Sequence, residues 1–240
     1  SVLTPAGRFI LEEGRKILTA TVQLADKAKE VATGWEPKLR IALESLVDYS
    51  KFFAVLEEFL QQQPGLEIDI QESVLNGGWD ALEQDRVDLA VAAPGPVPLQ
   101  KGYRAVPLAR NDMLPVIASH HPLAALAGDA EQLAQALPDL RRVILHDTST
   151  VSVVRNAGLS LGSHQRLYVQ TIDQKLAALL AGLGIGHMPR HRVQTYLDNG
   201  QLQPLNLSRP DSESFLAWKI SNKGKALQTL ANMLASASWS

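Results

Sequence analysis

The chain has 240 residues, 45% hydrophobic and 20% charged, which is globular composition with length for one large core or two small ones. A formal net charge of -2 gives no overall attraction for nucleic acid, and the absence of cysteine excludes a disulfide framework or a thiolate metal site. No apolar run approaches the roughly 18 residues of a membrane-spanning helix, and no charged-then-apolar leader opens the chain; the lack of cysteine fits a reducing compartment, and a cytoplasmic setting is the expectation. Thr4-Pro5 is a helix start, because Thr caps free N–H groups and Pro at the first helical position loses nothing. Ile10, Ile17, Leu24 and Val31 then recur by sevens, with Leu11, Leu18, Ala25 and Ala32 beside them, on a helix running to about Thr33 and ended by Gly34. Such a stripe reads as a two-helix dimer seam rather than the inner face of a single domain.

Beyond "GWEPK" the period changes. "KLRIAL", "LEIDIQES" and "RVDLAVAAP" read as strands, separated by helices in "SKFFAVLEEFLQQQP" and "GGWDALEQD". "DMLPVIAS", "RRVILHD", "RLYVQT" and "IGHMP" are further strands, with helices in "AEQLAQAL", "VSVVRNAGLSLG" and "IDQKLAALLAGLG". "PRHRVQTYLDNG" is a helix, "LQPLNL" and "SFLAWKIS" are strands, and "KALQTLANMLAS" is the closing helix. Strand and helix alternate, which predicts an α/β fold of two units, each with a parallel sheet between helices. The terminal "SASWS" has no periodicity and is read as a tag remnant outside the fold.

The stretch "GLGIGHMPRH" has the look of a phosphate loop, but its glycines follow a helix instead of preceding one. Gly182 or Gly184 is placed to stop that helix, and no GK[ST] accompanies them, so no nucleotide cofactor is expected. His187 and His191 mimic a zinc spacing, but Pro189 puts one on a strand and the other on a helix, so no metal is expected. No GxSxG turn and no cysteine offers a nucleophile, and the carboxylates read as helix faces and caps, so the chain is not read as an enzyme.

In order, these segments resemble a LysR-type transcriptional regulator without its N-terminal DNA-binding head. "LTPAGRFILEEGRKIL" is similar to the end of the winged helix-turn-helix and the linker helix. "LRIALESLVDYSKFFAVLEEFLQQQPGLEIDIQES", with Phe59 and Pro64, resembles the first strand, helix and second strand of the effector domain. "RVDLAVAAP" with Asp88, "HPLA" at 121–124 and "LLAGLGIGHMPRH" continue the likeness, from about Leu3 to Ser236. His187 departs from the family's apolar residue there, and Pro115 stands unusually in a crossover strand.

The resemblance implies two Rossmann-like lobes of the type II periplasmic-binding-protein architecture after a linker helix. Residues 1–34 would be the linker, 37–112 plus 212–236 the first lobe, and 113–211 the second, with crossovers near Asp112–Ile117 and Ser208–Leu216. It implies a ligand-sensing, dimerising and allosteric domain that performs no catalysis, forms a homodimer or a tetramer, and meets promoter DNA only through the head. The alternatives are the solute-binding protein of a transporter, which has no need of a long dimer helix, and an enzyme on the same fold. The effector would lie between the lobes, at the carboxyl ends of strands. Ser45, Leu46, Val47 and Tyr49 form the loop at a helix N-terminus, whose N–H groups favour a carboxylate, nitro or phenolate oxygen. Ala93 follows from the third strand, Thr148 and Thr171 stand across the cleft, and Gly186 and His187 close its far side. With no Lys or Arg at these positions, the expected effector is a small aromatic or monoanionic molecule.

Overall fold

The computed structural model describes residues 4–99, 102–150, 165–207 and 213–239. In chain order, α1 (Pro5–Thr33) leads to β1 (Lys38–Glu44), α2 (Tyr49–Gln62), β2 (Glu67–Ser73), α3 (Gly77–Glu83), β3 (Leu89–Pro94) and β4 (Tyr103–Arg110). Then come β5 (Met113–Ala118), α4 (Ala130–Ala136), β6 (Arg142–Leu145), β7 (Arg166–Val169), α5 (Ile172–Leu180) and β8 (Gly186–Pro189). The chain closes with α6 (Arg190–Asp198), β9 (Leu202–Pro204), β10 (Glu213–Lys219) and α7 (Lys225–Ser236).

At the start of α1 the Gly7 amide donates to Thr4 Oγ1 at 3.1 Å, and after its end Gly34 takes φ +72°, a value that glycine adopts without a Cβ clash. The heptad row faces solvent: Ile10, Ile17 and Leu24 are 69%, 67% and 71% exposed. The lobe after it is a five-stranded sheet in the order β2-β1-β3-β10-β4. β1 is parallel to β2 and β3, but β10 is antiparallel to both β3 and β4, so the sheet is mixed and not wholly parallel as expected. Leu39, Ile41 and Leu43 of β1 point to one face, against Phe52, Leu56 and Phe59 of α2 and Leu227 and Leu230 of α7. Ala42 points to the other face, where Trp79 and Leu82 of α3 lie. Each of the fully buried rings, Phe52 and Phe59, contributes about 1.5–3 kcal/mol by leaving water.

In the second lobe β5 is central, antiparallel to β8 on one side and β9 on the other. β6 and β7 form a separate two-stranded parallel sheet, joined to the residue before β8 by an isolated bridge at which the Val143 amide donates to the Ile185 carbonyl at 2.9 Å. One face packs Leu114, Val116 and Met188 on Ile172 and Leu179 of α5 and Val193 of α6; the other packs Ile117 and Ile185 on Leu133.

Several expectations change. β4 was not foreseen, and it leaves only Asn111 and Asp112 before β5, the strand expected in "DMLPVIAS". Trp239, set aside with "SASWS", donates its indole N–H to the Leu234 carbonyl at 2.8 Å and packs on the first-lobe core. Glu36 accepts from the Ala226 and Leu227 amides at 2.8 and 3.1 Å, so the residues before β1 cap α7. The helix expected in "VSVVRNAGLSLG" and the start of the second crossover, 208–212, lie outside the described residues.

Candidate functional site

Parallel strands bring their carboxyl ends to one edge of a sheet, and both lobes turn that edge toward each other. From the first lobe come Glu44 and Ser45 after β1, Ser73 to Leu75 after β2, and the start of α3. From the second come His146 to Thr150 after β6. The Val74 amide donates to Thr148 Oγ1 at 2.9 Å, and the Thr148 amide lies 3.3 Å from the Val74 carbonyl. Asn76 donates to Asp147 at 2.7 Å. Asp80, buried on α3, accepts from the Thr150 amide and hydroxyl at 3.1 Å each and from Arg86 at 2.7 Å. Val74 itself is part of the second-lobe core cluster, with Leu46 and Leu75 packed against it. A Cβ on Gly77 would stand 1.9 Å from Thr148 Oγ1, so only glycine there permits this approach.

Of the residues expected from sequence, Ser45 and Thr148 meet here, joined through Ser73 and Val74. Ser45 is fully buried, its amide donates to the Ser73 carbonyl at 2.9 Å, and its hydroxyl donates to Glu44 Oε1 at 3.1 Å. Tyr49 stands at the rim, with the Arg192 guanidinium 4.8 Å from its ring centre and its hydroxyl 3.4 Å from Glu72. Burial, with the Glu72 charge second, pushes the Tyr49 phenol up to about 12. Leu46 reaches the second lobe, whereas Val47 belongs to the first-lobe core, and Ala93 is buried among the residues packed on α3. Thr171 accepts from the Gln174 amide at 3.2 Å and so caps α5.

Two expectations fail on geometry. The N-terminus of α2 is not open to an anion, because the Asp48 carboxylate caps it by accepting from the Ser50 amide at 3.1 Å. That removes the argument from a free helix end for an anionic group on the effector. Gly186 does not open onto the cleft. It begins β8, whereas the cleft edge is at the other end, and a Cβ there would meet Lys175 Cε at 3.0 Å and the Val143 carbonyl at 3.2 Å. His187 follows it, buried and opposite Pro115 of β5. The Gly186 space is filled by Lys175, a buried ammonium whose pKa falls to about 8, first through desolvation and then through Arg142.

The sequence reading missed Glu44, Asp80 and Asn76. Glu44 is 2% exposed, and burial pushes its carboxyl up to about 8, against the opposing hydrogen bonds from Ser45 and Leu75. Leu75 takes φ +57°, an uncommon conformation for a branched residue, at the turn that supplies one of these bonds. A separate cavity of about 720 Å³ lies at the opposite edge of the first-lobe sheet, between Leu18 and Val22 of α1 and Lys38, Arg40 and Asp88. Among the described residues no His, Cys, Asp and Glu group is arranged to hold a metal ion, and no helix is long and apolar enough to cross a membrane.

Known proteins resemble this chain in sequence and in fold. The family described as the LysR substrate binding domain matches residues 32–238. The HTH-type transcriptional regulator PunR of Escherichia coli K12 is 30% identical over 235 residues, which are 97% of this chain and 74% of PunR. The regulatory domain of MetR, a LysR family regulator from N. meningitidis, aligns with a TM-score of 0.62 at 21% identity, covering 82% of this chain and 92% of that one. The effector binding domain of QuiR, in complex with shikimate, aligns with a TM-score of 0.60 at 16% identity, covering 82% of this chain and 96% of that one. At these identities the two structures establish the fold, the two-lobed type II periplasmic-binding-protein architecture. Regulators of this family bind small effectors and DNA and are oligomeric, and the relatives are transcriptional regulators and not enzymes or transport receptors. The chain therefore belongs to the LysR-type transcriptional regulators and carries their ligand-sensing domain.

Proposed function

We propose that this chain senses a small effector between its lobes and passes the change through α1 to DNA-binding heads in a cytoplasmic homodimer. The observation that carries the reading is the seam itself: Thr148 bonded to Val74, over Ser45, at the carboxyl ends of strands from both lobes. An effector that binds there binds one lobe arrangement better than another, which is all that a shift in conformation requires. The division is 1–34 for the linker, 37–112 plus 212–236 for the first lobe, and 113–211 for the second. Ser45, Leu46, Tyr49 and Thr148 are the contacts assigned to the effector, with Thr171 as a rim residue. QuiR, bound to shikimate, supports a small polar ring compound as the class.

The exposed row of Ile10, Ile17 and Leu24 supports pairing of α1 with a second copy. A second contact would set the α2 face that exposes Phe53 against the partner's second lobe. A thermal-shift screen of small aromatic acids, amino acids and amines tests the sensing role, since a ligand of the folded state raises the melting temperature. Ser45→Ala and Thr148→Val should weaken any hit, whereas Gln201→Ala on the far surface should not. Equal binding by all three variants would place the effector elsewhere.

A further inference from the structure

The geometry points to Glu44 as the residue that sets effector polarity: its Oε2 receives an N–H donor from an amine, an amidine or an amino-substituted ring. The inference rests on the cleft reading above and names the chemistry of that site. Glu44 ends β1 on the face that carries α3, directly before Ser45. Oε1 is engaged by the Ser45 hydroxyl at 3.1 Å, and the Ser45 and Leu75 amides also bond to the carboxyl. Oε2 has no hydrogen-bond partner, although the residue is almost completely buried. A buried carboxyl oxygen left unpaired is costly, and native proteins keep such groups where a function uses them.

Its surroundings fix the sign of that use. The charged group facing Glu44 is Glu72 of β2, which opposes further negative charge, while the Tyr49 phenol of α2 is held neutral and adds no positive charge. Arg192, the nearby cation at the rim, is spent on the Tyr49 ring and on Asp173 at 3.3 Å. The Asp48 carboxylate covers the α2 N-terminus. An anion brought to Oε2 would thus meet the Glu72 carboxylate and no free helix end, while an N–H donor satisfies the open acceptor. A cationic donor does more, since it holds Glu44 ionised and drives its proton into solvent.

Benzamidine and benzoate test this directly, being near in shape and opposite in polarity. Calorimetry at pH 7 in buffers of different ionisation enthalpy should find benzamidine bound more tightly than benzoate, with proton release on binding. Glu44→Gln keeps the shape and an acceptor for Ser45 and Leu75 but turns a donor toward the ligand. It should weaken benzamidine by about tenfold or more and abolish proton release. Melting curves check that the variant is folded. Thr148→Val, which leaves Glu44 intact, should weaken benzamidine yet keep proton release. If Glu44→Gln binds benzamidine like wild type while Thr148→Val does not, the role of Glu44 is overturned and the cleft stands. If neither variant matters, the cleft reading falls with it. Preference for benzoate, or no binding of benzamidine at millimolar concentration, also overturns the assignment.

Discussion

Each lobe buries an ionisable side chain whose pKa is pushed to about 8, and the two are of opposite sign and in opposite settings. In the first lobe it is Glu44, an acid at the cleft edge with one oxygen unsatisfied. In the second it is Lys175, a base under α5 in the core-facing row of Ile172, Ala178 and Leu179, with Arg142 as its charged neighbour. Each sits where the hydrophobic pattern of its element calls for an apolar residue. The acid lies where the lobes meet and has hydrogen-bond donors arranged around it. The base fills the space left by Gly186 away from that edge. Burial alone therefore does not distinguish the two groups; position at the strand ends, where the effector site is proposed, does.

The largest expected effects are on the cores that hold these groups apart. Phe59→Ala removes a ring with no exposure in the first lobe and should cost about 3–5 kcal/mol in denaturant unfolding. Leu179→Ala does the same in the second lobe and should cost about 2–5 kcal/mol. If the two lobes unfold as separate units, two transitions will appear, and each variant will move only one.

The charges give the next largest effect, and their pH windows differ. Glu44 holds its proton more tightly when folded, so its contribution is full below about 4.5 and is lost as pH rises through about 8. Lys175 holds its proton less tightly when folded, so its contribution is full above about 10.5 and is lost as pH falls through about 8. Together they predict a stability minimum near pH 8. Glu44→Gln should remove the acid limb and Lys175→Met the alkaline limb, each stabilising the protein at pH 7 by about 3 kcal/mol. Chemical denaturation between pH 5 and pH 10 reads both limbs, and a curve unchanged by either variant would show that these groups titrate alike in folded and unfolded chains.

Much of the fold was legible because it rests on periodicity. The α1 stripe, the alternation of strands and helices, and the glycines that end α5 are local patterns, and Gly182 does take φ +73°. β4 escaped because "YRAVPLAR" carries a proline and two arginines and lies at the sheet edge, where it alternates only weakly between exposed and covered. The cleft was half legible. Ser45 and Thr148 follow from the rule that ligands meet strand ends. Gly186 misled because a glycine in a strand says that something approaches closely, not which element it is. Glu44 was invisible because a carboxylate after an apolar strand reads as a surface residue, and its burial beside Glu72 and Leu75 joins segments about thirty residues apart that no local pattern links. Asp80 and Thr150 are 70 residues apart in sequence, and no local pattern joins them.

Smaller effects sharpen the contrast at the seam. Gly77→Ala puts a methyl into Thr148 Oγ1 and should hold the lobes apart. It should lower effector affinity more than stability, read by titration beside a melting curve; an unaltered affinity would mean that the seam opens at no cost. The caps are the smallest and should be matched between lobes. Asp48→Ala on α2 and Thr171→Ala on α5 should each cost about 1 kcal/mol. A much larger loss of ligand affinity in Thr171→Ala would promote that residue from cap to contact.

Hydrogen exchange in the presence of a compound that raises the melting temperature tests the central claim most directly. A small molecule held between the lobes should slow exchange at Ser45 and Val74 of the first lobe and at Thr148 of the second, together and in proportion to occupancy. Slowing confined to one lobe, or to the cavity between α1 and Lys38, would contradict an effector site between the lobes.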